Sequence, residues 1–206
     1  NSQVFRAGQS MKKTGITFGD VNGISPEVTI KALNFCDLPK ESVILFTNRC
    51  ILDFYKQKYN LYLEKEYEIA EIPYNYEDII PGKESKEAGE FAFRSLVKAC
   101  NYANEKIIDT VVTAPVSKQN LHKAGHKYDG QTEILEQYLA RQGQKAEMLF
   151  KCNNLYVLLI TRHMALKDVP KVIKKELIKE KIKRCEKSLK LQIGVEKPSF
   201  VLCALN

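Results

Sequence analysis

The sequence predicts an α/β protein with a largely parallel sheet, and the order of its apolar segments carries that prediction. Short apolar runs typical of buried strands recur at 14–18, 42–47, 107–112 and 199–204, and segments with helical periodicity separate them. Strands that alternate with helices form parallel sheets, because each helix returns the chain to the same end of the sheet. With 206 residues and 44% hydrophobic content, the chain can fill one sizeable α/β core or two small ones.

The first predicted strand leads into a loop, Gly19 to Glu27, that opens a helix. Ser25 is a natural N-cap for this helix, with Pro26 at the first helical position. The spacing of Gly19 and Gly23 matches neither a dinucleotide-binding fingerprint nor a P-loop. On spacing alone the loop is therefore an ordinary tight turn.

Hydrophobic periodicity and turn residues predict the remaining elements. We expect strands at 42–47, 107–112 and 199–204, helices at 51–59, 85–104, 131–141 (ended by Gly143) and 169–189, a short helix that ends at Gly125, a β-hairpin of 146–151 and 155–161 around Asn153 and Asn154, and short strands and loops over 59–81.

The net charge of +7 suggests a polyanionic partner, but its distribution argues against one. Nearly all the excess lies between Lys167 and Lys190, on the long predicted helix. Apolar residues from Val169 to Leu189 recur there at a spacing that makes one buried stripe, so the lysines form a solvated outer face. No aromatic residue interleaves them. We therefore expect no nucleic-acid partner.

Composition also indicates the cellular compartment and the state of the cysteines. The sequence has no apolar run of membrane-spanning length and no signal-peptide pattern, so we expect a soluble, cytoplasmic protein with no membrane partner. Six cysteines are scattered without a C-x-x-C pair, in segments that look like core. Buried reduced thiols explain them better than disulfides, zinc ligands or a nucleophile. Residues 1–10 are polar with little pattern, which is typical of a loose extension or a remnant of cloning.

Three polar motifs stand out. Residues 113–118 and 161–166 each follow a predicted strand, so both would lie at carboxyl ends of strands, where open α/β sheets bind ligands. Residues 128–135 place Gly130, Gln131 and Thr132 at the start of a helix, whose free N–H groups attract anions. An ordinary capped helix start would explain this last motif if it stood alone.

In this order the motifs resemble the 4-hydroxythreonine-4-phosphate dehydrogenase family of pyridoxal phosphate biosynthesis. The matching segments are Gly19-Asp20 through Glu27, Thr113-Ala114-Pro115-Val116-x-Lys118, Gly130-x-Thr132-Glu133, Thr161-x-His163-x-x-Leu166 and Cys203-Ala204-Leu205-Asn206. The resemblance implies a two-domain α/β/α sandwich of the isocitrate/isopropylmalate dehydrogenase type. It implies a first domain at 11–125, completed by the C-terminus in the family, and the start of a second at 126–206 with the substrate and metal residues.

The resemblance also implies an activity. The family uses NAD or NADP to oxidise 4-phosphooxy-L-threonine to 2-amino-3-oxo-4-phosphooxybutanoate, which loses CO2 to give 3-amino-2-oxopropyl phosphate. A divalent metal (zinc, magnesium or cobalt) polarises the alcohol. His163 matches the first metal-ligating histidine, Thr132 matches the substrate-binding threonine, and Gln131 stands where a second substrate residue is usually histidine. The resemblance also implies a homodimer, because the active site of the family forms across a dimer. The motifs assign no role to His122 or His126, and catalytic and cofactor-binding residues stay unassigned.

The chain departs from the family pattern in three places. Glutamine at 131 keeps hydrogen-bonding capacity but cannot be protonated, and Ser117 stands where histidine or asparagine is usual. The family also continues beyond Asn206 into a segment with two more metal histidines and most of the cofactor site, so we expect these residues to belong to a longer enzyme. Two alternatives stay open: a dehydrogenase of a phosphorylated sugar acid such as threonate or erythronate 4-phosphate, or an inert domain that binds a phosphorylated ligand.

Overall fold

The computed structural model describes residues 12–141 and 144–203, which fall in two compact units, one ending at Gln144 and the other beginning at Lys145. The strands are β1 (Thr14–Thr17), β2 (Val43–Phe46), β3 (Glu68–Ile69), β4 (Thr110–Thr113), β5 (Leu149–Cys152) and β6 (Leu155–Leu158). The α-helices are α1 (Ser25–Phe35), α2 (Arg49–Lys58), α3 (Lys86–Asn104), α4 (Lys118–Lys123), α5 (Gln131–Leu139), α6 (Val169–Val172) and α7 (Lys175–Ser188). Three 3-10 turns (Lys40–Ser42, Tyr76–Asp78 and Leu166–Asp168) and a π-helical turn (Leu189–Ile193) complete the regular structure of these residues.

The first unit is built on a four-stranded parallel sheet in the order β3-β2-β1-β4. All four residues of β2 are buried, as expected for a strand with helices on both faces. The predicted α/β fold with a parallel sheet is confirmed. The predicted mixture of short strands and loops over 59–81 is confirmed as well, since this stretch holds β3 and one 3-10 turn.

Helix α3 is the central helix of this unit. It packs against β1, β2, β4, α4 and α5. The Ser85 side chain caps it by accepting a hydrogen bond from the Ala88 N–H at 3.0 Å. The buried Ser95 hydroxyl donates to the carbonyl oxygen of Phe46 at 2.7 Å and accepts from the Phe18 N–H at 3.4 Å. One side chain of α3 thus joins the carboxyl ends of two neighbouring strands.

The second unit contains an antiparallel hairpin, β5 and β6, followed by α6 and α7. The predicted hairpin is confirmed, and its turn residue Asn153 has a φ of 50°, a conformation that asparagine tolerates better than most residues. The loop at 161–166 therefore follows a strand of a separate antiparallel sheet. Both strand-end motifs follow the strands predicted for them, but only the first of these strands, β4, belongs to the parallel sheet. No helix among residues 12–141 and 144–203 has the length and apolar character to cross a membrane.

Several local predictions are wrong. Ser25 is not an N-cap; its buried hydroxyl instead donates to the Phe18 carbonyl oxygen at 2.5 Å, and the helix has no side-chain cap. The single helix at 169–189 is interrupted, because Lys174 has an extended backbone between α6 and α7. Residues 199–203 form no strand within the described part of the chain. Residues 1–10, Gly143 and Ala204 lie outside the described residues.

The cysteine prediction is correct only in part. All six thiols are free. Cys100 and Cys185 are buried and Cys50 is half-buried, whereas Cys36, Cys152 and Cys203 are exposed. The predicted domain boundary at residue 125 refers to the complete two-domain enzyme. It stays a prediction.

Candidate active site

The carboxyl ends of β1 and β4 form the switch point of the parallel sheet. From β1 the chain crosses to β2 and β3 on one side, whereas β4 pairs with β1 on the other side. Ligands of open α/β sheets bind outside the carboxyl ends of the strands at this point. Two of the sequence motifs, Gly19-Asp20 after β1 and residues 113–118 after β4, meet here.

The two loops touch through their backbones. The Asp20 N–H donates to the Pro115 carbonyl oxygen at 2.9 Å. Gly19 has a φ of +55°, and a Cβ at this position would lie 2.1 Å from the same oxygen. A side chain at residue 19 would therefore force the loops apart, which gives Gly19 a physical role that its spacing from Gly23 alone does not reveal.

Asp20 is the central polar side chain of this edge. Its Oδ1 accepts hydrogen bonds from the Asn22 N–H and from Asn120 Nδ2, both at 3.1 Å. Burial raises the pKa of Asp20; the hydrogen bonds from Asn22 and Asn120 lower it, and the charge of Glu84 adds to the rise. The carboxyl group is thus held in place and takes up a proton more readily than a solvated aspartate.

Asn120, on α4, joins three elements. It is 2% exposed, and its Oδ1 accepts from the Ser85 N–H at 3.0 Å while its amide nitrogen reaches Asp20. The Ser117 hydroxyl caps α4 by accepting from the Asn120 N–H at 3.2 Å. Sequence reasoning missed Asn120, since an asparagine inside a short helix carries no motif. For Asp20 a signal existed in the Gly-Asp pair after the first strand, but no role was assigned to it.

Gln131 and Thr132 begin α5, directly after the extended backbone of Gly130. The Gln131 side-chain amide donates from Nε2 to the Ala114 carbonyl oxygen at 2.9 Å. This bond brings the predicted substrate-binding helix start onto the loop that follows β4. The Gln131 Oε1 and Glu133 Oε2 atoms are buried and have no hydrogen-bond partner among the described residues. Thr132 is half-buried in the first turn of the helix.

His163 lies in the second unit, in the loop that follows β6. Its side chain is exposed and its backbone has a φ of 51°, a left-handed conformation uncommon for a residue with a side chain. Such backbone conformations often mark functional loops. An exposed imidazole fits the role of one metal ligand. The described residues contain no group of three His, Cys, Asp or Glu that could hold a metal ion, so they do not by themselves form a complete metal site.

The other two histidines have structural contacts. The His122 Nε2 atom lies 3.2 Å from the Tyr128 carbonyl oxygen. The His126 Nε2 atom lies 2.7 Å from Glu90 Oε2, and its ring stacks on Phe93 with centroids 3.6 Å apart. Both histidines pack around the turn that leads into α5.

An open cavity of about 310 Å³ lies elsewhere, between the exit of β3 and α3. Its lining includes Ile72, Pro73 and Phe93, with Arg94 and Lys98 among the polar groups. None of Gln131, Thr132 and His163 lines it. We therefore assign the candidate site to the sheet edge and the start of α5 rather than to this cavity.

Comparison with known proteins gives consistent relatives. The model of the family described as "Pyridoxal phosphate biosynthetic protein PdxA" matches residues 13–206. The chain is 31% identical to a 4-hydroxythreonine-4-phosphate dehydrogenase of Sulfurihydrogenibium sp. (strain YO3AOP1), over 95% of this chain and 63% of the relative. It is also 31% identical to a D-threonate 4-phosphate dehydrogenase of Cupriavidus necator, over 93% of this chain and 61% of the relative.

A solved structure shares the fold. The crystal structure of 4-hydroxythreonine-4-phosphate dehydrogenase from Klebsiella pneumoniae matches with a TM-score of 0.80 and 26% identity, over 91% of this chain and 62% of that one. The chain therefore spans a little over three fifths of the length of these relatives, and the remainder of each has no counterpart in these 206 residues.

Proposed function

Because the chain belongs to the PdxA family of pyridoxal phosphate biosynthetic proteins, we propose that it forms part of an oxidoreductase that acts on 4-phosphooxy-L-threonine. NAD or NADP, when bound, would supply the acceptor for the hydride that leaves the carbon bearing the secondary alcohol, and the alcohol proton would be released. The product, 2-amino-3-oxo-4-phosphooxybutanoate, is a β-keto acid and loses CO2 to give 3-amino-2-oxopropyl phosphate, a precursor in pyridoxine and pyridoxal 5'-phosphate biosynthesis.

The observation that carries the proposal is the contact between Gln131 and Ala114. It links the start of α5, where Thr132 matches a substrate residue of the family and Gln131 stands at the position of another, to the exit loop of β4 at 2.9 Å. The N–H groups at the start of a helix favour an anionic ligand, and a threonine hydroxyl in the first turn can bind a substrate oxygen. In this proposal Gln131 and Thr132 hold the substrate and orient its phosphorylated chain.

His163 supplies one ligand of a divalent metal (zinc, magnesium or cobalt) in this proposal. The metal, when bound, would polarise the substrate alcohol as a Lewis acid. Its remaining ligands would come from outside the described residues, which contain no group of three His, Cys, Asp or Glu that could hold a metal ion. The exposed side chain of His163 and its left-handed backbone support the assignment.

A second substrate class has a specific observation in its favour. Gln131 replaces the usual histidine, and its amide can form hydrogen bonds but cannot carry a positive charge. This change alters what residue 131 offers a substrate, and the 31% identity to a D-threonate 4-phosphate dehydrogenase supports a phosphorylated sugar acid such as threonate or erythronate 4-phosphate as an alternative substrate. A domain that binds such a ligand without turnover is the third possibility.

The assembly and location also belong to the proposal. We propose a cytoplasmic homodimer with the two-domain arrangement of the isocitrate/isopropylmalate dehydrogenase type. Exposed apolar side chains on one face of the hairpin, Phe150 and its cross-strand neighbour Val157, are a candidate contact surface. Light scattering coupled to size-exclusion chromatography would measure the mass, and a monomer at micromolar concentration would contradict the dimer.

The decisive experiment measures NADH or NADPH formation by the purified protein with each substrate in turn. Turnover with 4-phosphooxy-L-threonine and a divalent metal supports the main proposal, whereas turnover only with threonate or erythronate 4-phosphate supports the alternative. Calorimetric binding of a phosphorylated ligand with no hydride transfer supports the inert domain. Failure to bind any of these ligands would refute all three.

Gln131 provides the matched test within the site. The Gln131→His variant restores the usual family residue and keeps a ring N–H that can donate a hydrogen bond. If Gln131 determines the substrate, the ratio of kcat/KM values for 4-phosphooxy-L-threonine and threonate 4-phosphate should change in this variant. An unchanged ratio would remove Gln131 as the basis for the alternative substrate.

A further inference from the structure

Helix α7 buries a lysine. Lys181 is 8% exposed, although most other lysines of this helix face solvent. A lysine is seldom this deeply buried unless it is paired, because removing its charge from water is costly. The apolar stripe predicted for this segment does not include residue 181, so its burial needs an explanation from its partners.

The partners of Lys181 lie at the open end of the β5–β6 hairpin. Its Nζ donates to a side-chain oxygen of Glu147, just before β5, and to the Leu159 carbonyl oxygen at 3.3 Å, just after β6. The Leu159 N–H in turn donates to the Met148 carbonyl oxygen at 3.2 Å. One ammonium group therefore holds both strands at the point where they leave the hairpin.

The chain from Leu159 runs directly into the loop that carries His163. Only three residues separate the anchored Leu159 carbonyl from His163. The left-handed backbone at His163 costs energy for a residue with a Cβ and persists only where the surrounding structure holds it. The bond from Lys181 to the Leu159 carbonyl ties the start of this loop to α7.

We infer that Lys181 is a positioning residue, which sets the place of the His163 loop by joining Glu147 to the Leu159 carbonyl. The inference rests on the proposed function in one respect, because it gives His163 a purpose as a ligand. Its physical content, that the position of His163 depends on Lys181, stands independently of any turnover.

Glu147 makes a clean test possible. Its second side-chain oxygen accepts from Arg184 at 3.1 Å. Replacing Lys181 by methionine keeps most of the length of the side chain and removes the ammonium group, and Arg184 continues to pair with the carboxylate. The variant therefore does not leave a buried unpaired charge, which would destabilise the unit for a reason unrelated to the loop.

The experiment uses the full 206-residue chain with labelled histidine rings. The sequence has three histidines, so the ring Cε1–H signals are three, and a His163→Gln variant assigns the one of interest. In Lys181→Met the His163 signal should shift by more than its linewidth or broaden, while the His122 and His126 signals of the first unit stay in place. Lys181→Arg, which keeps a charged donor, should return the His163 signal toward its original position.

Lys183→Met is the matched control. Lys183 is exposed, lies two residues along the same helix, and makes no ion pair within the described residues. Its replacement should leave all three histidine signals unchanged. If Lys181→Met does not fold, the double variant Glu147→Gln with Lys181→Met removes both charges of the pair and is measured instead.

A purely structural role for Lys181 would lower the unfolding temperature without moving the His163 signal of the folded protein. That outcome in Lys181→Met, or in the double variant, would overturn the inference. A moved His163 signal in a protein that binds none of the phosphorylated ligands would support the inference and refute the proposed function, so the two failures are distinguishable.

Discussion

The contact between the β1 and β4 exit loops predicts a severe effect of Gly19→Ala. An alanine here would keep a φ near +55°, which costs about 1–2 kcal/mol for a residue with a Cβ. Its Cβ would also lie 2.1 Å from the Pro115 carbonyl oxygen and 2.8 Å from the Ala114 carbonyl oxygen. Both are backbone atoms, so the loops must shift, at a further cost of about 1–3 kcal/mol. We expect a total loss of roughly 2–5 kcal/mol in the free energy of unfolding.

Gly82→Ala is the matched control for this prediction. Gly82 has a φ of +83°, but nothing lies within 4 Å of a Cβ built on it. Its replacement should cost only the conformational part, about 1–2 kcal/mol. Urea unfolding followed by far-ultraviolet circular dichroism measures both variants. If Gly19→Ala destabilises the protein no more than Gly82→Ala does, the close approach of the two loops is not as described.

Three further predictions concern single side chains. His163→Ala should abolish turnover in the active protein and leave the circular dichroism spectrum unchanged, since the side chain is exposed; near-normal activity would refute its role as a ligand. Asp20→Asn should have a higher free energy of unfolding than the parent at pH 7. Burial raises the folded-state pKa of Asp20, so the stability that comes from protonating this carboxyl group is lost as the pH rises through that pKa. Urea midpoints that show no such gain at pH 7, or a gain that persists at acidic pH, would contradict this. Iodoacetamide at neutral pH should spare Cys100, whose thiol pKa burial raises to about 11, and modify the exposed Cys36 and Cys152, as peptide mass spectrometry would detect.

The sequence predicted the elements whose signals are local. Helix α3 was predictable because its apolar residues repeat at helical spacing and Ser85 provides its cap. The strands of the parallel sheet were predictable because buried strands are short apolar runs between helices. The order β3-β2-β1-β4 depends on which strands pair across long stretches of chain, and no local pattern specifies it.

Predictions failed where a distant partner decides the structure. Serine is a common N-cap residue, but the Ser25 hydroxyl is buried and donates to the carbonyl oxygen of Phe18, which lies in the turn after β1. The apolar residues at 199–203 have strand propensity, yet a strand needs a neighbour, and the described residues provide none; Val201 is 88% exposed. Hydrophobic periodicity does not reveal the break at Lys174, because apolar residues continue at helical spacing on both sides of it.

Among the polar residues too, those in a local motif were predictable and those that act through distant partners were not. Gln131 and Thr132 were identified from a motif, and the structure places them at a helix start as expected. Asn120 and Lys181 were not identified, because each acts through atoms far away in the sequence: Asn120 through Asp20 and Lys181 through Glu147. Buried polar side chains that bridge elements have no sequence signature of their own, although their loss leaves unsatisfied partners.

The pairing of β1 with two distant strands has a consequence for synthesis of the protein. Thr14 pairs with Val43 on one side and with Thr110 on the other, so the two partners of β1 leave the ribosome 67 residues apart. At about 5–20 residues per second, roughly 3–13 s pass between them. During that interval one edge of β1 has no partner strand, and an unpaired edge is a template for association with other chains. The nascent chain is therefore most prone to aggregate before β4 arrives, which makes that interval the one in which a chaperone would be of most use.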